Sequence, residues 1–312
     1  MRKALLGFVA GCRKTEFFST LLVAVIVVSA ALTVAPLDAA PQRGGRGAPP
    51  PPPEPGPFDR LATGTPDMNG VWSVRGGLAD ITGNITQVGG QQVEGDDRQI
   101  PYTPVYAQLR AESDQRMFEE PELHCYMSGV PSHMWRQSYL GAGLVIQHTP
   151  EYVVFLHEFQ GSRRIVPLDG RGHVHSDIEL FMGDGVGHWE GDTLVIETTN
   201  NNAITWLDNN GDRHSNQLTV VERFTPINQN DWSYQATFTD PAAYTTSWTI
   251  EAPMSRGNNP NAEILEFACV EGNTDNLHYT EDVGGTTEQA PSAAPEVFEA
   301  PPQGGGRGGP GE

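Results

Sequence analysis

The stretch WSYQATF, residues 232–238, alternates large or apolar side chains with polar ones without a break. Trp, Tyr, Ala and Phe take every second place, and Ser, Gln and Thr fill the places between them. Because successive side chains of a strand point to opposite faces of a sheet, this pattern predicts a strand with one buried face. Tyr244, Thr246, Trp248 and Ile250 repeat the two-residue spacing after an Asp-Pro turn and predict a second strand beside it.

Six further ranges have strand character, namely 144–148, 152–158, 163–168, 193–199, 218–225 and 263–269. Gly, Asp, Asn or Pro lie between most of them and favour turns. Residues 104–118 predict the one short helix, and the Gly-rich residues 76–97 predict a long mobile loop. Short strands joined by turns indicate an all-β fold, an antiparallel lipocalin-like barrel or sandwich of about 8–10 strands.

The two ends of the chain differ from this middle part. Residues 1–40 combine basic residues, an apolar run and small residues, which predicts a signal peptide; an uncleaved membrane anchor is the alternative. Residues 41–57 and 284–312 are rich in Pro and Gly and predict a disordered linker and tail. A single β domain is expected over residues 58–283. A periplasmic or secreted location follows, without stable membrane insertion after cleavage.

The charge of the chain limits its expected binding partners, and its cysteine content limits the expected disulfides. Without residues 1–40 the chain holds 15 basic and 37 acidic residues, a net charge of −22. Such a chain repels nucleic acid and anionic lipid, so neither is an expected partner. Cys125 and Cys269 remain after cleavage, and export makes a disulfide between them plausible. Two buried thiols or a reactive cysteine are the alternatives, and no oligomeric state is predicted.

Several motifs resemble a family of exported bacterial proteins that is largely uncharacterised. They are RRIVPLDGR at 163–171, GHWEGDTLVIETT at 187–199, and HS followed by VERF within 214–224. The G-x-W at 70–72 is similar to the opening of lipocalin-like barrels. The resemblance implies the fold and an exported location, and it implies no reaction and no catalytic residues. GHVH at 172–175 departs from the usual pattern, which has proline near the histidine.

The sequence H-x-H-x-D at His173, His175 and Asp177 is similar to part of the metal site of metallohydrolases. In an extended segment these side chains point to one side, and imidazole with carboxylate suits zinc, iron or manganese. A polar loop with surface histidines is the alternative. A divalent metal ion is therefore possible as a cofactor but not required.

Glu222 falls on an otherwise apolar strand face within residues 218–224. A carboxylate buried there must be paired or protonated, because an isolated buried charge is too costly. Such burial can raise the pKa of a carboxyl into a range useful for acid–base catalysis. A structural ion pair with Arg163 or Arg164 is the alternative.

His148 and His157 also fall on apolar strand faces. A pocket lined by histidines and carboxylates could transfer protons, and the predicted catalytic residues are Glu222, His214 and His157. Satisfied core histidines are the alternative. The residues predicted to bind a ligand are Trp72, His148, Trp189, Trp206, Trp248 and Glu266. For the tryptophans, packing in the core is the alternative.

The sequence lacks a G-x-S-x-G elbow, a P-loop and an H-E-x-x-H motif, which disfavours common serine hydrolysis and nucleotide chemistry. The predicted function is an exported lipocalin-like protein that binds a small, largely apolar organic molecule in a barrel cavity. One alternative is an exported lyase, isomerase or hydrolase that uses His and carboxylate residues, with or without a metal. The other is an envelope-associated structural or interaction protein.

Overall fold

The computed structural model describes residues 51–76, 80–135, 143–257 and 264–270. Internal contacts divide the chain into residues 1–51 and 52–312, and the elements below belong to the second unit. Its strands are β1 (Gly70–Val74), β2 (Ile85–Val88), β3 (Gln91–Gln92), β4 (Leu144–His148), β5 (Tyr152–His157), β6 (Arg163–Pro167), β7 (Asp184–Glu190), β8 (Thr193–Thr199), β9 (Thr219–Pro226), β10 (Asp231–Thr239) and β11 (Trp248–Arg256). The helices are α1 (Pro104–Ala111) and α2 (Ser132–Trp135), and short 3-10 turns cover Ile81–Asn84, Gly95–Asp97, Ser113–Gln115, Met117–Glu119, Pro121–His124 and Phe159–Gly161.

The strands form one antiparallel sheet in the order β6-β5-β4-β1-β11-β10-β9-β8-β7, with β2 paired to β11 and to β3. The two outer strands, β6 and β7, lie side by side without a backbone ladder between them in the described part. A Cβ added at Gly187 of β7 would lie 3.0 Å from Val166 Cγ1 of β6. The sheet is therefore a nearly closed barrel, which confirms the predicted all-β fold.

The alternation at residues 232–238 has the predicted effect. Trp232, Tyr234, Ala236 and Phe238 of β10 are buried, whereas the residues between them are only partly buried. β10 pairs with β9 through residues 232–239 and with β11 through residues 231–238. Because the alternate side chains of the neighbouring strands also turn inward, they form a hydrophobic core inside the barrel.

The two ends of the barrel are built differently. At one end, which we call the turn end, short turns at 149–151, 191–192 and 227–230 join neighbouring strands. At the opposite end, which we call the capped end, the connecting segments include residues 80–135, 200–218 and 240–247. These longer segments, which together we call the cap, pack against the barrel and bury residues such as Ile81 and Leu207.

Three sequence predictions about elements are wrong in detail. Residues 80–97 are not a mobile loop, because Ile81 and Ile85 are buried anchors and β2 pairs with β11. The predicted helix ends at Ala111, where the buried Ser113 hydroxyl donates to the carbonyl of Gly211 and a 3-10 turn follows. The described residues 264–270 form no strand, since the Leu265 N–H donates to the Glu158 carboxylate and not to a neighbouring strand.

A disulfide joins Cys125 to Cys269, with the two Cα atoms 5.6 Å apart. This agrees with the bridge predicted between the two cysteines. The bond attaches residues 264–270 to the capped end, where Phe267 packs 4.9 Å from Phe159. Near the start of the described chain, the Gly56 N–H donates to the Ile227 carbonyl, so the end of the predicted linker contacts the barrel.

Candidate functional site in the barrel interior

A buried ion pair lies inside the barrel, between Arg164 of β6 and Glu222 of β9. The exposed fraction is 4% for Arg164 and 0% for Glu222. Arg164 Nη2 donates to Glu222 Oε2 and to the hydroxyl of Thr198. Arg163 is exposed, because adjacent residues of β6 point to opposite faces. The sequence prediction that Glu222 needs a partner is thus answered by Arg164 and not by Arg163.

Tyr234 of β10 completes the contacts of the carboxylate. Its hydroxyl donates to Glu222 Oε1 at 2.9 Å. Burial and the adjacent Glu222 carboxylate raise the pKa of Tyr234 well above its usual value. The phenol therefore stays protonated and continues to donate its hydrogen bond.

Arg164 has more hydrogen-bond donors than its neighbours can accept. Its Nε and Nη1 atoms are buried and have no hydrogen-bond partner among the described residues. On one side the guanidinium lies 5.6 Å from the centre of the Phe155 ring. Two donor nitrogens of a buried charged group therefore remain without a hydrogen bond in the described part of the chain.

His157, at the capped end of β5, lies near Arg164. Burial, together with the neighbouring His133 and the Arg164 charge, holds the pKa of His157 well below its usual value. The imidazole is therefore neutral near pH 7, with one N–H donor and one bare nitrogen. Neither ring nitrogen has a hydrogen-bond partner within the described ranges.

Helix α2 covers this part of the interior. The His133 ring lies 4.5 Å from the His157 ring, and its Nε2 atom contacts the Ser162 hydroxyl. The Trp135 ring packs edge-on against Tyr234 at 5.7 Å. The Trp135 indole N–H is buried without an acceptor among the described residues.

We call Trp135, His157, Arg164, Glu222 and Tyr234 the interior polar cluster. Strand periodicity placed Glu222 and His157 on inward strand faces, and both side chains are buried. Trp135 and His133 were missed as site residues, because they lie in a segment without strand or helix periodicity. Arg164 was predicted from the sequence only as one alternative ion-pair partner of Glu222.

His214 lies in the cap and is not hydrogen-bonded to the interior polar cluster. Its Nε2 atom lies 2.8 Å from the Thr205 hydroxyl, and its Nδ1 atom lies 2.9 Å from the Ser215 carbonyl. Burial is the main cause of its lowered pKa. With both ring nitrogens partnered, His214 is a hydrogen-bonded buried histidine outside the interior polar cluster.

His148 and Trp189 lie at the turn end, opposite His157. His148 is the last residue of β4, and its ring lies 5.4 Å from that of Trp189. Burial lowers the pKa of His148, and the nearby Asp67 opposes the shift. The structure thus separates His148 from His157, although both are on apolar strand faces.

The other predicted ligand-binding residues are dispersed. The Trp72 indole donates to the Met68 carbonyl at 2.7 Å, and Trp248 stacks on Phe238 at 4.0 Å, both in the core. Trp206 lies in the cap, 4.5 Å from the guanidinium of Arg213. Glu266 is exposed. The structure does not bring these four residues together with the interior polar cluster.

The proposed metal ligands do not converge. His173 Nδ1 lies 3.2 Å from Asp184, and its Nε2 lies 3.1 Å from Glu197. His175 and Asp177 are exposed and contact each other at 3.4 Å, within a turn and not an extended segment. The geometry on which the H-x-H-x-D prediction depended is therefore absent from this described segment.

Three carboxylates of the cap converge instead, and this convergence was not predicted from the sequence, in which residues 208–212 indicate a turn. Oxygens of Asp80, Asp208 and Asp212 lie within 4.8 Å of one another. Burial and the adjacent Asp212 raise the pKa of Asp208 to about 8. The Tyr102 hydroxyl and Arg110 Nε each donate to Asp212 Oδ1 at 3.0 Å. The DNNGD turn at 208–212 signals two of these residues, but Asp80 comes from a distant segment.

Among the residues that the structure describes, no helix is long and apolar enough to cross a membrane. No family model, curated protein or solved structure matches the chain.

Proposed function

We propose that this chain is an exported protein that binds a small, largely apolar organic molecule, with the polar end of that molecule held by the interior polar cluster. A nearly closed antiparallel barrel is compatible with this function, since such barrels can hold one small ligand. The observation that carries the proposal is that the buried Arg164 cation lacks partners for two of its nitrogens in the described part of the chain, as Trp135 and His157 do beside it; His148 and Trp189 at the turn end also have unpartnered ring nitrogens, but no buried cation accompanies them.

Unpaired buried donors are costly. Leaving one donor unsatisfied costs about 1–3 kcal/mol, and more for a charged group such as the Arg164 guanidinium. Most buried polar groups in native proteins have a partner, so a concentration of exceptions requires a reason. A bound molecule that accepts hydrogen bonds from these nitrogens supplies that reason.

The surroundings of the cluster suit an apolar ligand body. Phe155 and Phe224 pack with ring centres 5.6 Å apart, and Phe224 lies 5.0 Å from Tyr234. Ligand pockets commonly combine apolar and aromatic walls with a few polar groups that fix orientation. The aromatic rings and the cluster provide these two components side by side.

Access to the cluster requires helix α2 to move, because Trp135 covers it. α2 has four residues, and His133 attaches it to the β5–β6 turn through Ser162 and the Phe159 carbonyl. All four residues of α2 are buried, but a single helical turn outside the strand ladders opens at a lower free-energy cost than core strands do. We therefore assign α2 as the gate through which a ligand reaches the barrel interior.

Export is part of the proposal. The Cys125–Cys269 disulfide is typical of an oxidising compartment. The predicted signal peptide and the resemblance to exported bacterial proteins point the same way. Cell fractionation tests this part: the expected result is protein in the periplasm or medium, and retention in the cytoplasm contradicts it.

Titration with the neutral fluorescent dye N-phenyl-1-naphthylamine tests ligand binding. The expected result is saturable binding of one dye per chain. Trp135→Ala should accelerate association because it removes the side chain that covers the cluster. Trp189→Ala, at the turn end, is the matched control and should leave association unchanged. Absence of saturable binding by the wild-type protein contradicts the proposal.

One observation favours proton-transfer catalysis as a second candidate function. A ring nitrogen of the neutral His157 that has no partner among the described residues lies near the Arg164 guanidinium, which can polarise a carbonyl. Since burial and Arg164 hold the pKa of His157 well below its usual value, His157 is a weak base and the expected acceleration is small. If so, the protein should accelerate deuterium exchange at the carbons beside the carbonyl of 2-nonanone in D2O. His157→Gln should abolish the acceleration, and exchange at the protein-free rate removes this candidate.

A further inference from the structure

We infer that the ligand of the interior polar cluster presents an uncharged carbonyl group, as a ketone or an ester does, and not a carboxylate. This inference rests on the proposed ligand-binding function and adds the chemical class of the ligand. Its evidence is the number of donors and acceptors in the cluster and their charge.

Donors outnumber acceptors among the unpartnered groups. Arg164 offers Nε and Nη1, Trp135 offers its indole N–H, and the neutral His157 offers one N–H and one bare nitrogen. Glu222 already accepts from Arg164 and from Tyr234. The complementary ligand group is therefore one that accepts hydrogen bonds, and a carbonyl oxygen has two lone pairs for this purpose.

The net charge of the cluster favours binding of an uncharged carbonyl over binding of a carboxylate. Arg164 and Glu222 form a neutral pair, and the exposed fraction of neither side chain exceeds 3%. A carboxylate would place a second negative charge beside Glu222, with the Arg164 cation shared between two anions. Burying such an uncompensated charge is strongly unfavourable. An uncharged carbonyl uses the same donors without this cost.

The surrounding rings favour the same class. Phe155 lies beside the guanidinium, and Phe224 and Tyr234 continue the aromatic wall. An alkyl or aromatic body next to a single carbonyl suits this environment. A ligand with several hydroxyl groups would leave some of them unpaired against the rings.

Calorimetry with three ligands of equal chain length tests the inference on the disulfide-bonded chain. The ligands are 2-nonanone, nonane and nonanoate. The expected result is that 2-nonanone binds at least about tenfold more tightly than nonane, because hydrogen bonds from a charged donor distinguish the two. Nonanoate is expected to bind more weakly than 2-nonanone.

Matched variants test which side chains bind the carbonyl group of 2-nonanone. Arg164→Gln combined with Glu222→Gln removes both charges together and should abolish the preference for 2-nonanone over nonane. Arg163→Gln, the exposed neighbour on β6, is the control and should keep the preference. Trp135→Phe removes one N–H with little change of shape and should weaken 2-nonanone binding selectively; it serves if the double variant does not fold.

Infrared spectroscopy gives a readout that altered folding alone does not produce. The carbonyl stretch of bound 2-nonanone should lie at lower frequency in the wild-type protein than in the Arg164→Gln/Glu222→Gln variant. Equal affinity for nonane and 2-nonanone, or tighter binding of nonanoate, overturns the inference and leaves ligand binding intact. If none of the three compounds binds and the dye does not bind either, the proposed function itself fails.

Discussion

The two ends of the barrel differ in how they are closed and in what they bury. At the turn end, Asp192 of the β7–β8 turn forms an exposed ion pair with Arg60 at 2.7 Å. At the capped end, long segments bury charged or polar groups that include Asp208, Asp212 and Asp240. Short turns only need to reverse the chain, whereas long connections can carry functional side chains on a rigid scaffold. The interior polar cluster lies beneath these long segments, because α2 belongs to one of them and packs on His157 and Tyr234.

The largest expected difference between the two ends comes from breaking one ion pair at each. Glu222→Ala leaves Arg164 buried without a counter-charge and should lower the free energy of unfolding by about 3–5 kcal/mol. Asp192→Ala breaks the exposed pair with Arg60 and should change it little, since water screens both charges. Urea denaturation measures both. Equal losses in the two variants would remove the contrast between the ends.

Loss of the disulfide should have the next largest effect. Cys125→Ser with Cys269→Ser opens a link between residues 144 apart in sequence. The expected loss is about 2–4 kcal/mol, chiefly because the unfolded chain gains conformational freedom. Thermal unfolding of the variant against the oxidised wild type measures it. An unchanged melting temperature would mean that the cap does not depend on this attachment.

A smaller expected effect is the dependence of folding stability on pH that Asp208 causes. Its pKa is about 8 in the folded protein, above the ordinary value of 3.8, so the folded state keeps a proton that the unfolded state releases. The resulting stabilisation is present at low pH and is lost as the pH rises through 8. Between pH 5 and pH 9, the wild type should therefore lose more stability than Asp208→Asn does. Asp192→Asn, at the turn end, is the control, and parallel curves for Asp208→Asn and wild type would contradict this assignment.

Strand periodicity predicted much of the barrel because it is a local property. The alternation in β10 and β9 is enough to place Tyr234 and Glu222 on buried faces. It does not specify which residue of another strand meets Glu222, since Arg163 and Arg164 have the same chemistry and differ only in the face on which they lie. That choice depends on where β6 begins.

The contacts of the cap were less predictable because they join segments that are distant in sequence, which a local pattern does not record. Asp80 meets Asp208 through contacts between distant segments, and no repeat in the sequence records that approach. His173, His175 and Asp177 were assigned to one extended segment, but the chain turns at 175–178 and His173 contacts Asp184 instead. α2 is too short to display helical periodicity, so the residues that cover the cluster had no local signal.

The indole region of a ¹H–¹⁵N spectrum recorded during titration with 2-nonanone tests the central claim most directly. It compares Trp135 at the capped end with Trp189 at the turn end, each assigned by substitution with Phe. A ligand in the interior polar cluster should produce a saturable shift of the Trp135 indole resonance and none for Trp189. A shift of Trp189 alone, or of neither resonance, would contradict a ligand site in the interior polar cluster.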